Sequence, residues 1–138
     1  MSARLVGYSG TQLAKKLGIG ASSCVWAIDA PANYRKLLAP LPVGATFVTK
    51  LSPGVDVVHL FVDNAAALAK RLASLRKRMR PDASLWVSWP KKAAKIPTDV
   101  TEDTIRSIAL PIGLVDVKVC AVSEVWSGLK LVIRKELR

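Results

Sequence analysis

Apolar runs rich in β-branched residues alternate along this chain with stretches of helical period. This alternation is typical of a sheet whose two faces are covered by helices. Strands are predicted over residues 23–28, 45–49, 55–62, 85–89, 114–122 and 126–134. Helices are predicted over residues 11–17 and 32–38, from a cap at Asp63 or Asn64 to about Arg80, and from a cap at Thr98 or Thr101 to about Leu110.

The last two predicted strands are separated by a tight turn, which predicts an antiparallel hairpin with a bulge at Ser127 and Gly128. Most of the earlier strands are separated by helices and are therefore predicted to be parallel, whereas a turn at Pro53 and Gly54 separates residues 45–49 from residues 55–62. The pattern predicts an α/β fold: a single domain over residues 1–138, in three layers, with a mostly parallel six-stranded sheet closed by a C-terminal antiparallel hairpin strand.

The cysteines and the N-terminus indicate a cytoplasmic protein. Cys24 and Cys120 lie in apolar runs far apart in the sequence, which favours buried free thiols, although a single cross-strand disulfide stays open. Residues 1–12 lack the apolar core of a signal peptide, and no uncharged apolar run approaches the roughly 18 residues of a membrane span.

Positive charge is concentrated in one part of the chain. The sequence has 21 basic and 10 acidic residues, a formal charge of +11, and nine of the basic residues lie between Lys70 and Lys95, where the only acid is Asp82. Such a field attracts polyanions and also keeps a protein soluble. A nucleic-acid interface on the predicted helix would use Lys70, Arg71, Lys77 and Arg78. Aromatic residues for base stacking are missing between Lys70 and Arg80, so a solvated helix face is the favoured interpretation.

The predicted strand over residues 85–89 is followed by Pro90 and two lysines. Ligands of open α/β sheets bind beyond the carboxyl ends of parallel strands, so this exit is a candidate site. The residues predicted to bind an anionic small ligand, a phosphate or carboxylate, are Ser88, Trp89, Lys91, Lys92, Tyr34 and Asp29. Lysines that solvate a loop and a tryptophan that packs beside Pro90 are the open alternative.

Catalytic and metal-binding patterns are missing from the sequence. His59 is the only histidine and lies between Val58 and Leu60 in a predicted strand, which indicates a buried, hydrogen-bonded side chain. One histidine and two isolated cysteines do not make a zinc site, and there is no GxSxG elbow for a serine nucleophile. Asp29, Asp63 and Asp116 border strands, but nothing pairs them with an acid or a nucleophile.

Parallel strands with crossover helices and a closing antiparallel hairpin resemble the sheet of class I methyltransferases, shortened by one strand and its helix. The phrase GVDVV at residues 54–58 resembles the fourth strand of that family. The resemblance implies the strand order 2-1-3-4-6-5. The segments YSGTQLAKKLGI, LWVSWPKK, PTDVTEDTIR and GLVDVKVCAVSEVWSGLKLV also resemble an uncharacterised family of small bacterial proteins, a domain of unknown function, which implies a fold and no activity.

The chain departs from the methyltransferase pattern where that family binds S-adenosylmethionine. The loop after the first strand reads IDAPANY, which keeps the acid at Asp29 and lacks every glycine. Thr49 and Lys50 stand where the family has an acid for the ribose hydroxyls. The sequence therefore predicts a non-enzymatic or vestigial methyltransferase-fold protein that binds an anionic small ligand and uses no cofactor.

Two alternative functions and one mode of association stay open. The first alternative is an S-adenosylmethionine-dependent methyltransferase with a degenerate cofactor loop, and the second is a nucleic-acid-binding module that uses the basic surface of residues 70–95. The hairpin around residues 126–130 is expected to cover the core, and a homodimer through an exposed edge there is its functional alternative.

Overall fold

The computed structural model describes residues 12–138, which form six strands and four α-helices. The strands are β1 Cys24–Ile28, β2 Thr46–Val48, β3 Val57–Phe61, β4 Ser84–Pro90, β5 Leu114–Ala121 and β6 Trp126–Ile133. The helices are α1 Leu13–Lys16, α2 Tyr34–Leu38, α3 Ala65–Arg78 and α4 Glu102–Ala109. Short 3₁₀ turns cover Lys92–Ala94, Leu110–Ile112 and Lys135–Leu137.

The six strands form one sheet in the order β2-β1-β3-β4-β6-β5. The four strands β1 to β4 pair in parallel, and β6 runs antiparallel to both β4 and β5. This confirms the predicted fold class and the predicted strand order. Because β1, β3 and β4 are parallel, their carboxyl ends meet at one edge of the sheet, which we call the carboxyl edge.

Helices cover both faces of the sheet. On one face, Leu68 and Leu72 of α3 and Ile105 of α4 pack in a buried cluster with Leu60 and Leu85. On the other face, α1 and α2 belong to a second buried cluster with Val25, Val57 and Trp86. The indole Nε1–H of Trp86 donates to the Leu17 carbonyl at 2.9 Å. The core therefore has two halves, one on each face of the sheet. Every residue of β3, at the centre of the sheet, is buried.

The β-bulge lies on β5 and not at Ser127 and Gly128, where the sequence predicted it. The register between β5 and β6 shifts between Asp116 and Lys118. Gly128 instead pairs regularly with Ser88 and Cys120, and a Cβ there would lie 3.0 Å from Cγ2 of Val122. The glycine is therefore explained by close packing of the sheet face, and not by a strained backbone.

The expected dimer edge is also placed differently. Residues 126–130 belong to β6, which is enclosed between β4 and β5, so the outer edge on this side is β5. That edge carries exposed Val117 and Val119, but the bulge and Lys118 interrupt it, as in natural edge strands that avoid pairing. A homodimer stays a prediction.

Some predicted boundaries move by a few residues. Helix α2 begins at Tyr34 and not at residue 32. The predicted first helix starts at Thr11, which lies outside the described residues, as do residues 8–10 of the first resembling segment. Among the described helices, none has the length and apolar character required to cross a membrane. Cys24 and Cys120 are free, and both are partly buried.

The N-terminus of α3 offers a test of the fold. The Asn64 side chain accepts a hydrogen bond from the Ala67 amide at 2.8 Å. We expect Asn64→Ala to lower the free energy of unfolding by about 1 kcal/mol, because that amide loses its partner, whereas Asn64→Asp keeps an oxygen in place. Urea denaturation of the two variants measures the difference. Equal losses for both variants would contradict the capping role.

Candidate functional site

A crevice of about 220 Å³ opens at the carboxyl edge of the sheet. The described residues that line it are Asp29, Phe61, Val62, Asp63, Ala67 and Trp126. Asp29 follows β1, Asp63 follows β3, and Ala67 lies in the first turn of α3. Trp126 reaches the same place because β6 is antiparallel to β4, so its first residue pairs with Pro90 at the end of β4.

The turn after β1 is made without glycine. Asp29 has a φ of 56°, in the left-handed region. Among residues with a side chain, aspartate and asparagine tolerate this conformation best, because their short polar groups bond locally. Asp29 therefore makes a turn that a glycine would make more easily, and it adds a carboxylate to the crevice.

The crevice is acidic and aromatic. Asp29 and Asp63 contribute carboxylates, Phe61 and Trp126 contribute rings, and none of the described residues that line it is basic. A guanidinium nitrogen of Arg71 in α3 lies 3.7 Å from Oδ2 of Asp29. Both side chains are well exposed, so this ion pair is weak.

Directly behind the crevice lies a chain of three buried side chains, which we call the buried hydrogen-bond chain. The Tyr34 hydroxyl is 2.8 Å from Nδ1 of His59, and Nε2 of His59 is 2.7 Å from Oγ of Ser88. His59 and Ser88 have no exposed surface, and Tyr34 is 5% exposed. One ring nitrogen donates and the other accepts, so a neutral imidazole satisfies both hydroxyls.

Burial fixes the protonation state of this chain. Removal from water lowers the pKa of His59 to about 3 and raises the pKa of the Tyr34 hydroxyl. His59 is therefore neutral at physiological pH, and it is buried and hydrogen-bonded, as the sequence predicted. It cannot act as a general base toward a ligand, because both ring nitrogens are occupied and neither reaches the surface.

The structure corrects the assignment of Ser88 and Tyr34 to an anion site. Both hydroxyls are bonded to His59 in the interior, so they do not present a surface to a ligand at the end of β4. Trp89 packs in the core and is 9% exposed. Lys91 is partly buried and Lys92 is exposed beyond β4, and neither is among the residues that line the crevice. Of the six predicted residues, Asp29 alone lines it.

The sequence interpretation missed most of the crevice. Asp63 carried a usable signal, because it follows a strand predicted to be central and parallel. Trp126 carried none, since its arrival at this edge depends on the pairing of β6 with β4. Asp116 is not available as a base: it accepts a hydrogen bond from Arg106 at 2.9 Å, which lowers its pKa.

The basic segment is less free than its composition indicated. Nε of Arg76 donates to the Ile112 carbonyl at 3.0 Å, and Arg80 is paired with Asp56 and Asp82. On α3 the four residues of the nucleic-acid hypothesis are all exposed: Lys70, Arg71, Lys77 and Arg78. In the part of the chain that the structure describes, histidine, cysteine and carboxylate side chains form no cluster of three that would hold a metal ion.

Comparison with known proteins identifies the fold. No protein-family model and no curated protein matches the sequence. A Sulfolobus solfataricus protein described as a type 11 methyltransferase superposes with a TM-score of 0.61 at 11% identity, over 95% of each chain. An S-adenosylmethionine-dependent methyltransferase from Aquifex aeolicus gives a TM-score of 0.64 at 13% identity, over 93% of this chain and 91% of that one.

A Bacillus subtilis tRNA methyltransferase, TrmK, is more distant. It gives a TM-score of 0.54 at 9% identity and covers 89% of this chain and 65% of its own. At these identities the likeness shows the fold alone. This chain has the α/β fold of class I methyltransferases in a six-stranded form, whereas the resemblance to a small bacterial family stays a prediction.

The buried histidine predicts how stability depends on pH. The unfolded chain binds a proton at His59 near pH 6.5, and the folded chain does so only near pH 3. The contribution of neutral His59 to stability is therefore complete above pH 6.5 and is lost as the pH falls toward 3. We expect the free energy of unfolding to fall by about 1 kcal/mol per pH unit between pH 6 and pH 5.

Chemical denaturation at a series of pH values measures this slope, in a range where carboxylates contribute little. The imidazole NMR signals of His59, the only histidine in the sequence, give an independent check. Titration of those signals near pH 6.5 in the folded protein would contradict the assignment.

Proposed function

We propose that this protein binds S-adenosylmethionine in the crevice and serves in methyl transfer. The observation that carries the proposal is the character of the crevice: two carboxylates and two aromatic rings at the carboxyl ends of β1 and β3. The solved methyltransferases that share the fold support the same choice of ligand.

A positive ligand suits this crevice better than an anion. Asp29 and Asp63 attract a cation, and the aromatic ring of Trp126 lies beside them in the lining. S-adenosylmethionine carries positive charge on its sulfur and on its ammonium group and one negative charge on its carboxylate, so its net charge is positive. The anionic small ligand that the sequence favoured would instead meet two carboxylates, so the S-adenosylmethionine alternative has the better support.

The residues present fit one half of the cofactor. Asp29 and Asp63 would hold the ammonium and the positive sulfur, with Trp126 and Phe61 as the adjoining walls. The nucleoside half has no acid for its ribose hydroxyls, because Thr49 and Lys50 follow β2. A crevice of about 220 Å³ is likewise smaller than a site for a whole ligand of this size. Binding is therefore expected to depend on the charged half.

The chemistry available at the crevice is limited. When bound, S-adenosylmethionine supplies a methyl group activated by a positively charged sulfur. The chain contributes orientation through Asp29 and Asp63 and a partly water-excluding wall through Phe61 and Trp126. Proton removal from an acceptor is not a task for His59, which is sealed in the interior.

Calorimetry with S-adenosylmethionine and S-adenosylhomocysteine tests the proposal. The second ligand lacks the charge on sulfur, so we expect it to bind about tenfold more weakly, the effect of about 1.4 kcal/mol of cation stabilisation. Asp63→Asn and Asp29→Asn should each weaken S-adenosylmethionine and reduce the preference between the two ligands. Glu136→Gln is the matched control, because Glu136 follows β6 at the opposite edge of the sheet.

Two results would overturn the proposal. One is no heat of binding for either ligand up to about 1 mM, where a binding free energy of about −4 kcal/mol is still detected. The other is equal binding of both ligands that neither aspartate variant changes, since the crevice would then play no part.

The exposed face of α3 favours a second candidate function, binding to a nucleic-acid backbone. The helix AAALAKRLASLRKR contains five basic residues and no acid. Lys70, Lys77 and Arg78 are exposed on it. Phosphate contacts of this kind give an affinity that falls steeply with salt. The tRNA methyltransferase among the compared structures is consistent with a nucleic-acid partner.

A gel-shift salt series with DNA and RNA tests this second candidate. Removing three basic residues from α3 should lower the slope of log affinity against log salt by about one unit for each lost phosphate contact. The variant is Lys70→Ala, Lys77→Ala and Arg78→Ala, and its control of equal charge is Lys118→Ala, Lys130→Ala and Lys135→Ala. No shift at low salt, or equal effects of both variants, would dismiss an interface on α3.

A further inference from the structure

The buried hydrogen-bond chain is in direct contact with the wall of the crevice. The ring of His59 stacks on the ring of Phe61, with centroids 4.3 Å apart and planes 24° apart. Phe61 lines the crevice, and Trp126 meets it edge-on at 5.1 Å. The orientation of the imidazole is therefore transmitted through one ring contact to the surface that a ligand would touch.

The buried hydrogen-bond chain joins three elements, of which β3 contributes Phe61 to the crevice. Tyr34 is the first residue of α2 and follows the glycine-free loop of residues 29–33. His59 lies in the middle of β3, and Ser88 lies in β4 directly opposite Phe61. The Tyr34 hydroxyl thus ties the far end of the loop to the strand whose last residue, Phe61, forms the crevice wall.

Hydrogen bonds hold this arrangement more firmly than apolar packing would. Rotation of the His59 ring would break both of its bonds in the interior, where an unpaired polar group has no water to replace its partner. A phenylalanine at position 59 would have no such directional restraint. Tyr34 also meets Phe61 edge-on at 5.4 Å, so the restraint reaches Phe61 from two sides.

We propose that His59, held by Tyr34 and Ser88, is a positioning residue that fixes Phe61 and the loop of residues 29–33 and so sets the shape of the crevice. The consequence for a ligand rests on the proposed function. The consequence for the crevice wall does not, because it is measurable on the protein alone.

The test compares three variants. Tyr34→Phe removes one oxygen and keeps the ring, and Ser88→Ala removes the hydroxyl at the other end of the chain. Ile105→Val is the matched control. Ile105 is fully buried in α4, on the opposite face of the sheet, so its truncation lowers stability without altering the buried hydrogen-bond chain. Denaturation curves establish that the variants fold and how much stability each loses.

The first measurement follows the indole N–H of Trp126 in a ¹⁵N correlation spectrum. The sequence has four tryptophans, and Trp126→Phe assigns the peak. We expect the peak to shift or broaden in Tyr34→Phe and in Ser88→Ala, and to stay in place in Ile105→Val. The second measurement is the affinity for S-adenosylmethionine. It should fall about fivefold in Tyr34→Phe and in Ser88→Ala, because each loses one hydrogen bond, and by less than about twofold in Ile105→Val.

The outcomes separate the two proposals. If the wild-type protein does not bind S-adenosylmethionine, the proposed function fails, while the Trp126 peak still decides the positioning role. If Tyr34→Phe does not fold, Ser88→Ala decides it. The inference would be overturned if Tyr34→Phe or Ser88→Ala lost as much stability as Ile105→Val and left the Trp126 peak in place. The buried hydrogen-bond chain would then contribute only to stability.

Discussion

A histidine in a dry interior must have both ring nitrogens hydrogen-bonded, and this requirement organises the centre of the molecule. His59 meets it through Tyr34 and Ser88, at 2.8 and 2.7 Å. The two bonds link α2, β3 and β4, and β3 carries Phe61 to the crevice. Removing either partner is costly, because a buried polar group without its hydrogen-bond partner lowers stability by more than the complete bond raises it. The three residues are therefore expected to behave as one unit and not as separate contributions.

The crevice inherits its character from what surrounds this unit. Phe61 is stacked on His59, and its edge of the sheet is shared by Asp29 and Asp63. The two carboxylates and two aromatic rings underlie the proposed binding of a positively charged ligand, although the protein as a whole carries a charge of +11. Net charge and site charge thus have opposite signs. A net charge acts on molecules that approach the outer surface, whereas local carboxylates act on a ligand within a crevice.

The strands and helices were predictable from the sequence because their signals are local. Helix caps, turn residues and apolar runs predicted six strands, whereas the strand order was implied by the resemblance to class I methyltransferases. The site was not predictable to the same degree. Ser88 and Tyr34 have hydroxyls at places where ligands often bind, and sequence alone does not tell that His59 lies between them. Tyr34 lies 25 positions from His59 in the sequence and Ser88 lies 29 positions from it. Both meet His59 only after β1, β3 and β4 have paired.

Trp126 is a second residue whose contacts could not be predicted from the sequence. It lies 65 residues from Phe61 in sequence and contacts it because β6 returns antiparallel to β4 and pairs with Pro90. The proline, which was expected to end the strand, is instead its last paired residue, and that extra pair brings Trp126 to the carboxyl edge. Proline in this position donates no hydrogen bond, so the pairing depends on the neighbouring amide of Lys91, which donates to the Val125 carbonyl at 2.8 Å. The end of β4, which the sequence predicted as a candidate anion site, therefore has a structural role: it anchors the hairpin that brings Trp126 to the crevice.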